Sequence, residues 1–251
     1  MKHPVCFLPE TDPLEQLPAA FSAWEETASN LPKYLVASTF QEQLLKLPPF
    51  PTNKLQTVAE YERAMQILSY FGHAYVWGQK KVPESIPEVL AKPWYEVAKE
   101  LGRPPVLSYA SYALTNWKRL DPKGPIDLGN IVLIQNFLGG IDEEWFILVH
   151  VAIEAKASPA LEACVEAIKA VENADTQGLM QVLQKMASAL EDMCSTLDRM
   201  PQHCDPYIYY HRVRPYIHGW KNHPMFPNGL IYTGVQEYQN RPQQFRGETG
   251  A

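Results

Sequence analysis

One histidine in this sequence has the surroundings of a binding site. His150 lies in an almost wholly apolar run, residues 145–153, where an imidazole must find hydrogen-bond partners or face a pocket. From spacing alone, a hydrogen-bonded core histidine is the favoured interpretation, with Glu154 one helical turn later as a simple partner. A histidine that faces a ligand is the alternative.

An arginine in an aromatic stretch is the second candidate. Arg214 lies within residues 207–220, whose sequence is YIYYHRVRPYIHGW. A guanidinium beside aromatic faces is well suited to hold a carboxylate through two parallel hydrogen bonds. The alternative is a structural salt bridge to an acidic side chain, and the sequence alone favours that alternative.

The remaining candidates carry weaker signals. Tyr109 and Tyr112 share one face if their segment is helical, and such pairs more often pack in a core than stack on a ligand. GxSxG, P-loop and GxGxxG motifs are absent from the sequence. Potential metal ligands occur in one short region without the spacing of a zinc motif, which disfavours a structural zinc site; they are His203, Cys204, His211, His218 and His223.

Composition argues against several classes of protein. The chain has 251 residues, of which 46% are hydrophobic and 20% are charged, and its formal net charge is −6. A negative chain without a basic block disfavours nucleic-acid binding, and this apolar content disfavours intrinsic disorder. The most apolar run, residues 145–153, is too short to cross a membrane. Four scattered cysteines fit a reducing compartment, so we expect the cytoplasm.

The elements that position these residues are predicted to be helices between proline-bearing loops. Thr57 and Glu60 form a capping box before a long helix that ends near Gly78, whereas residues 106–117 fit a strand or a helix. We find no strand-rich region and predict an all-α fold. Other helices are predicted over 19–30, 34–46, 93–101, 143–157 with Asp142 as N-cap, from Ser158-Pro159 onward, from Asp175 to 197, and after Asp205-Pro206.

Six segments of the chain match one family in order and spacing. They are AYVWG (74–78), RPPVLSYASYALTNWKRLDP (103–122), WFILVHVAIEA (145–155), YIYYHRVRPYIHGWKNHP (207–224), NGLIYTGV (228–235) and FRGETGA (245–251). Together they resemble the indoleamine 2,3-dioxygenase family, and the resemblance covers nearly the whole chain. That family is all-helical, with a smaller amino-terminal domain and a larger domain that holds haem. The resemblance therefore implies a small helical domain over 1–102 and part of the haem domain over 103–251, with the boundary at Arg103-Pro104-Pro105.

The resemblance also implies a reaction and its partners. The family uses haem b to insert both atoms of O₂ across the C2–C3 bond of the indole of L-tryptophan or a related indoleamine. The product is N-formylkynurenine, in the first step of tryptophan catabolism to kynurenine. Cofactor chemistry does the difficult step, while the protein binds, orients and excludes water. We expect a monomer for the full-length family member, without nucleic acid or membrane as a partner.

The matched positions take their roles from the resemblance. Arg214 falls where the family places the arginine that pairs with the substrate carboxylate, and Tyr209 matches an aromatic residue that packs against the indole. The other substrate-pocket positions are Tyr109, Tyr112, Phe146, Ile217 and Thr249. The positions implied to contact haem are Tyr109, Ala113, Thr249 and Gly250.

The resemblance gives His150 a catalytic role. It falls at a distal position that is serine in the mammalian indoleamine enzymes, whereas the related tryptophan 2,3-dioxygenases have a distal histidine. An imidazole here could accept the indole N–H, which would favour tryptophan over N-methylated analogues.

This sequence departs from the family pattern at two points, which leaves alternative functions open. Tyr112 replaces a smaller family residue, which implies a narrower or more polar pocket. The proximal haem ligand is a histidine that the resemblance places beyond Ala251, so no residue here is assigned to the iron, and the sequence resembles an amino-terminal fragment. The alternatives are a haem protein that binds an indole-like ligand in secondary metabolism without dioxygenation, and a haem-free truncated remnant that acts through protein contacts.

Overall fold

The computed structural model describes residues 7–79 and 81–247. This part of the chain is predominantly helical, which confirms the all-α prediction. The α-helices are α1 (Ser22–Ser29), α2 (Leu31–Val36), α3 (Phe40–Leu44), α4 (Val58–Trp77), α5 (Glu88–Glu100), α6 (Ile141–Glu172), α7 (Thr176–Leu197), α8 (Pro206–Ile208) and α9 (Arg214–Ile217).

Two π-helical segments and a few short strands complete the described structure. The first π segment is Ala110–Leu114, and the second π segment, Tyr209–Val213, joins α8 to α9. Strand β1 (Ser85–Ile86) pairs in parallel with β4 (Ile231–Tyr232), and β2 (Trp117–Arg119) pairs antiparallel with β3 (Ile131–Leu133). Single 3₁₀ turns cover Ala19–Phe21, Thr52–Lys54, Met200–Gln202 and Gln236–Tyr238.

Helix α4 is the centre of the core. Its predicted capping box is present: the Glu60 amide donates to Thr57 Oγ1 at 3.2 Å, and the Thr57 amide donates to Glu60 Oε2 at 3.0 Å. Buried residues run almost without interruption from residue 63 to 76, so the helix is enclosed on all sides. Gly72 lets α5 approach closely, because a Cβ there would lie 2.1 Å from the Trp94 ring.

Several predicted boundaries were wrong. Helix α5 begins at Glu88 rather than 93, so Pro93 lies inside it. Helix α6 begins after Gly140, and the predicted N-cap Asp142 instead accepts a hydrogen bond from the Asp205 amide at 2.7 Å. The helix predicted over 34–46 is split between α2 and α3, because Ser38 takes a positive φ of 57° between them.

Helix α6 also continues through the predicted break at Ser158-Pro159 and reaches Glu172. Pro159 has no amide hydrogen, so the carbonyl of Ala155 lacks its helical donor. The outer half of α6 pairs with α7 as a hairpin. Apolar side chains on this hairpin are exposed, namely Val165, Ile168, Val171, Met180, Leu183, Leu190 and Leu197. Within the described residues, no helix combines the length and the apolar composition of a membrane span.

Candidate functional site

Three aromatic side chains from α6 and the second π segment form the centre of the candidate site. Phe146 and His150 lie one turn apart on α6, with ring centroids 4.4 Å apart. The ring of Tyr209 stacks on Phe146 at 3.8 Å with an interplanar angle of 21°. Phe146 and His150 are only partly buried, so this cluster presents aromatic surface at the edge of the described structure.

The first π segment brings both predicted tyrosines to the same cluster. The Tyr112 and Tyr209 hydroxyl oxygens are 3.3 Å apart, and the Tyr109 ring lies 6.2 Å from the His150 ring, edge to face. The Tyr109 hydroxyl donates to Glu154 Oε1 at 2.9 Å. Burial, followed by the nearby Glu154 charge, raises the pKa of Tyr109, so its phenol stays protonated as the donor. Ala113 is buried in this segment.

The imidazole of His150 is held in one tautomer. Its Nδ1 lies 2.7 Å from the carbonyl oxygen of Phe146. A carbonyl only accepts hydrogen bonds, so Nδ1 carries the hydrogen and Nε2 of the neutral ring has a lone pair. Among the described residues, none forms a hydrogen bond with Nε2. The structure therefore places an acceptor nitrogen beside the aromatic cluster.

Arg214 lies at the start of α9, one residue after the second π segment ends. Its guanidinium carbon is 4.9 Å from the centroid of the Tyr210 ring. Burial raises the pKa of Tyr209, and the Arg214 charge acts in the opposite direction, so the guanidinium lies within electrostatic range of the cluster. Within residues 7–79 and 81–247, no carboxylate forms a salt bridge with Arg214, so the structural salt bridge stays an untested alternative.

Buried polar residues that the sequence analysis missed support the first π segment. Gln66 of α4 donates to the carbonyl of Ser111 at 3.2 Å and accepts from Arg63 at 2.6 Å. Arg63 in turn forms a buried ion pair with Glu25 of α1 at 2.6 Å. Arg63 begins the buried stretch of α4, which was a signal for a buried partner, but that partner lies 38 residues away in sequence.

Ile217 and the described end of the chain lie next to each other. Ile217 is buried, and the amides of Trp220 and Lys221 both donate to the carbonyl of Phe245 at 2.9 Å. A Cβ on Gly219 would lie 2.2 Å from the Gly247 nitrogen, so this close approach requires glycine. The predicted site residues Thr249 and Gly250 lie outside the described residues.

Among the described residues, the aromatic cluster offers ring surface that suits a flat ligand such as a porphyrin. A metal ion held by side chains alone needs three or four ligands, whereas a haem needs an axial ligand and apolar packing. Across residues 7–79 and 81–247, no three His, Cys, Asp or Glu side chains come together as a metal site. Phe146 and Tyr109, which are both partly buried, place their rings 4.4 Å and 6.2 Å from the His150 ring and offer aromatic surface to a flat ligand.

Comparisons with known proteins agree on one family. A family model described as indoleamine 2,3-dioxygenase matches residues 1–251. Indoleamine 2,3-dioxygenase 1 of Rattus norvegicus is 37% identical over 237 residues, which are 94% of this chain and 58% of that protein. Indoleamine 2,3-dioxygenase 2 of Homo sapiens is 35% identical, covering 96% of this chain and 59% of that protein. The indoleamine 2,3-dioxygenase of Saccharomyces cerevisiae is 31% identical, covering 93% and 54%. The chain thus spans 54–59% of the length of these relatives.

Proposed function

Since this chain belongs to the indoleamine 2,3-dioxygenase family, we propose that it supplies the substrate-binding side of a haem-dependent dioxygenase. The proposed reaction adds both atoms of O₂ across the indole C2–C3 bond of L-tryptophan to give N-formylkynurenine, the first step toward kynurenine. The observation that carries the proposal is the guanidinium of Arg214, which no described carboxylate neutralises. It packs on Tyr210, and its charge acts on the neighbouring Tyr209 of the aromatic cluster.

The proposal gives Arg214 the substrate carboxylate. A guanidinium binds a carboxylate through two parallel hydrogen bonds, and the planar fork fixes the direction of the ligand as well as its distance. The cation–π contact with Tyr210 orients the guanidinium before the ligand arrives. In this arrangement the carboxylate end of an indole amino acid is anchored at α9, and its ring extends toward the aromatic cluster.

The aromatic cluster then receives the indole. Phe146 and Tyr209 offer ring faces and edges, against which a flat indole packs with favourable dispersion and quadrupole contacts. Nε2 of His150 accepts the indole N–H, because the bond from Nδ1 to the Phe146 carbonyl leaves that lone pair free. An indole nitrogen that carries a methyl group has no hydrogen to donate, so this contact favours unmodified tryptophan.

The cofactor of this proposal is haem b. When bound, the haem iron supplies the activation of O₂, which protein side chains cannot provide. The partly buried Tyr109 and the buried Ala113 are the described residues that we assign to its contact surface. Holding the indole in one orientation over this surface is the task of Arg214 and His150.

The test is tryptophan turnover by the complete protein with haem, a reductant and O₂. We expect N-formylkynurenine to accumulate and its absorbance to rise. Arg214→Ala should weaken tryptophan binding by about thirtyfold or more, because truncating one partner of a desolvated charge pair costs about 2–5 kcal/mol. Tryptamine, which lacks the carboxylate, should lose little affinity.

Arg212→Ala is the matched control, since Arg212 is an exposed arginine two residues earlier in the same helical run. It should bind tryptophan as the unmodified protein does. Equal tryptophan affinity in Arg214→Ala and the unmodified protein would reject the carboxylate role, and bound haem without N-formylkynurenine would reject the reaction.

A further inference from the structure

A second histidine, His73 of α4, is completely buried and lies outside the aromatic cluster. Both of its ring nitrogens form hydrogen bonds with backbone atoms. Nδ1 lies 2.7 Å from the carbonyl oxygen of Tyr216, so Nδ1 donates. Nε2 accepts the amide hydrogen of Leu107 at 2.9 Å. The ring must therefore be neutral and in a single tautomer, because a hydrogen on Nε2 would oppose the Leu107 amide.

The two bonds connect the two halves of the proposed substrate site. Leu107 lies two residues before Tyr109 and three residues before the first π segment begins. Tyr216 lies two residues after Arg214, within α9. These two places are 109 residues apart in sequence, yet one imidazole bonds to both.

The packing around His73 leaves the ring little freedom. The Trp220 ring lies 5.3 Å away and the Trp94 ring 6.3 Å away. Trp94 is itself fixed by its close contact with Gly72 and by a hydrogen bond from its Nε1 to Ser69 Oγ at 3.1 Å. Since close-packed interiors transmit displacement rather than absorb it, the ring acts as a rigid spacer between its two partners.

We propose that His73 is a positioning residue that sets the spacing between the aromatic wall of Tyr109 and Tyr112 and the guanidinium of Arg214. This inference rests on the proposed function, because the spacing matters for a ligand that contacts both the wall and the guanidinium. His73 itself touches neither the ligand nor the cofactor in this proposal. Its effect passes through the backbone at Leu107 and Tyr216.

The first test measures the bridge without any ligand or cofactor. Amide hydrogen exchange would be followed in peptides covering 106–114 and 214–218 of the unmodified protein, His73→Met and His73→Gln. Methionine fills the space but offers no matching pair of bonds, so we expect faster exchange in both peptides. Glutamine keeps a donor and an acceptor, so we expect partial restoration.

Ser69→Ala is the matched control for this measurement. It removes the buried hydrogen bond to Trp94, whose ring packs on His73, one turn earlier in α4, but it breaks no bond to either segment. Exchange in the two peptides should then remain as in the unmodified protein. Unchanged exchange in His73→Met, or faster exchange in only one of its two peptides, would overturn the bridge.

The second test measures ligand preference in the complete haem-loaded protein. Tryptophan contacts both halves of the site, whereas tryptamine lacks the carboxylate for Arg214. We expect His73→Met to reduce the preference for tryptophan over tryptamine by about tenfold, because small misplacements of binding groups are costly. In the Arg214→Ala background, the same change should produce no further loss of preference.

The outcomes separate the two proposals. If the unmodified protein shows no preference for tryptophan over tryptamine, the proposed function fails, and the exchange experiment still decides the bridge. If the preference exists and His73→Met keeps it, the function stands and the positioning role is rejected. A purely structural role would weaken both ligands equally, and that result would also reject it.

Discussion

The hydroxyls of Tyr112 and Tyr209 lie 3.3 Å apart where the two π segments meet, and both side chains are buried. Neither position revealed this contact in the sequence, because 97 residues separate them. Each hydroxyl gives the other a hydrogen-bond partner that water would otherwise supply. The two phenols therefore stabilise the junction as a pair.

We expect a non-additive result when this pair is removed. Tyr112→Phe or Tyr209→Phe alone should lower the free energy of unfolding by about 1–2 kcal/mol, because the remaining hydroxyl is left buried without its partner. The double variant should lose clearly less than the sum of the two. Urea unfolding of all four proteins gives the coupling energy, and strict additivity would show that the hydroxyls do not interact.

Residue types were easier to predict than their partners. The sequence indicated that His150 needed a hydrogen-bond partner and suggested Glu154. In the structure, Nδ1 bonds to the carbonyl of Phe146, and Glu154 accepts the Tyr109 hydroxyl. Helical spacing permits either arrangement on α6, and only the approach of the first π segment decides between them.

The N-cap of α4 makes a contribution to stability that one substitution can measure. Thr57→Ala removes the acceptor for the Glu60 amide and should lower the free energy of unfolding by about 1 kcal/mol. Thr39 occupies the same position before α3, but its side chain makes no capping bond. Thr39→Ala should therefore cost much less in the same thermal or urea unfolding measurement, and equal losses would contradict the capping role.

Local signals predicted helix starts well and helix breaks poorly. The capping box at Thr57, the cap at Asp175 and the Asp205-Pro206 pair are confirmed, because each is complete within four residues of sequence. The break expected at Ser158-Pro159 was wrong. Proline removes one hydrogen bond, but packing along α7 supports the rest of α6, and that packing is not visible locally.

The two π segments could not be predicted from the sequence, because contacts with distant residues hold them in place. Residues 106–117 fitted a strand or a helix, and the structure places the first π segment there, followed by the start of β2. A π turn has poor intrinsic stability and persists where tertiary contacts hold it. Gln66 and Asn116 supply such contacts through bonds to the Ser111 and Tyr112 carbonyls.

Because His73 is buried, we expect the free energy of unfolding of the protein to fall in mild acid. Burial, opposed by the Tyr216 carbonyl and assisted by His218, lowers the pKa of His73 from 6.5 to about 4. Between pH 6.5 and about pH 4, His73 is protonated in the unfolded chain but neutral in the folded protein. Stability should thus fall as the pH decreases from 6.5 to 4, by about 3 kcal/mol from this residue.

The measurement is the free energy of unfolding across that pH range, compared between the unmodified protein and His73→Met. Methionine does not titrate, so the variant should show a shallower pH dependence, whatever its stability at neutral pH. Ser69→Ala retains the imidazole and should keep the original slope. Parallel curves for the unmodified protein and His73→Met would mean that folding does not lower the pKa of His73.

The proline inside α6 has a mechanical consequence for the imidazole of His150. At 1.5 Å per residue, this 32-residue helix is a rod roughly 48 Å long, and Pro159 lies roughly 13 Å beyond His150. Because Pro159 has no amide hydrogen to donate to the Ala155 carbonyl, we expect bending of the helix to concentrate there. We therefore expect bending of the outer hairpin to displace the His150 ring less than it would in a helix without this proline.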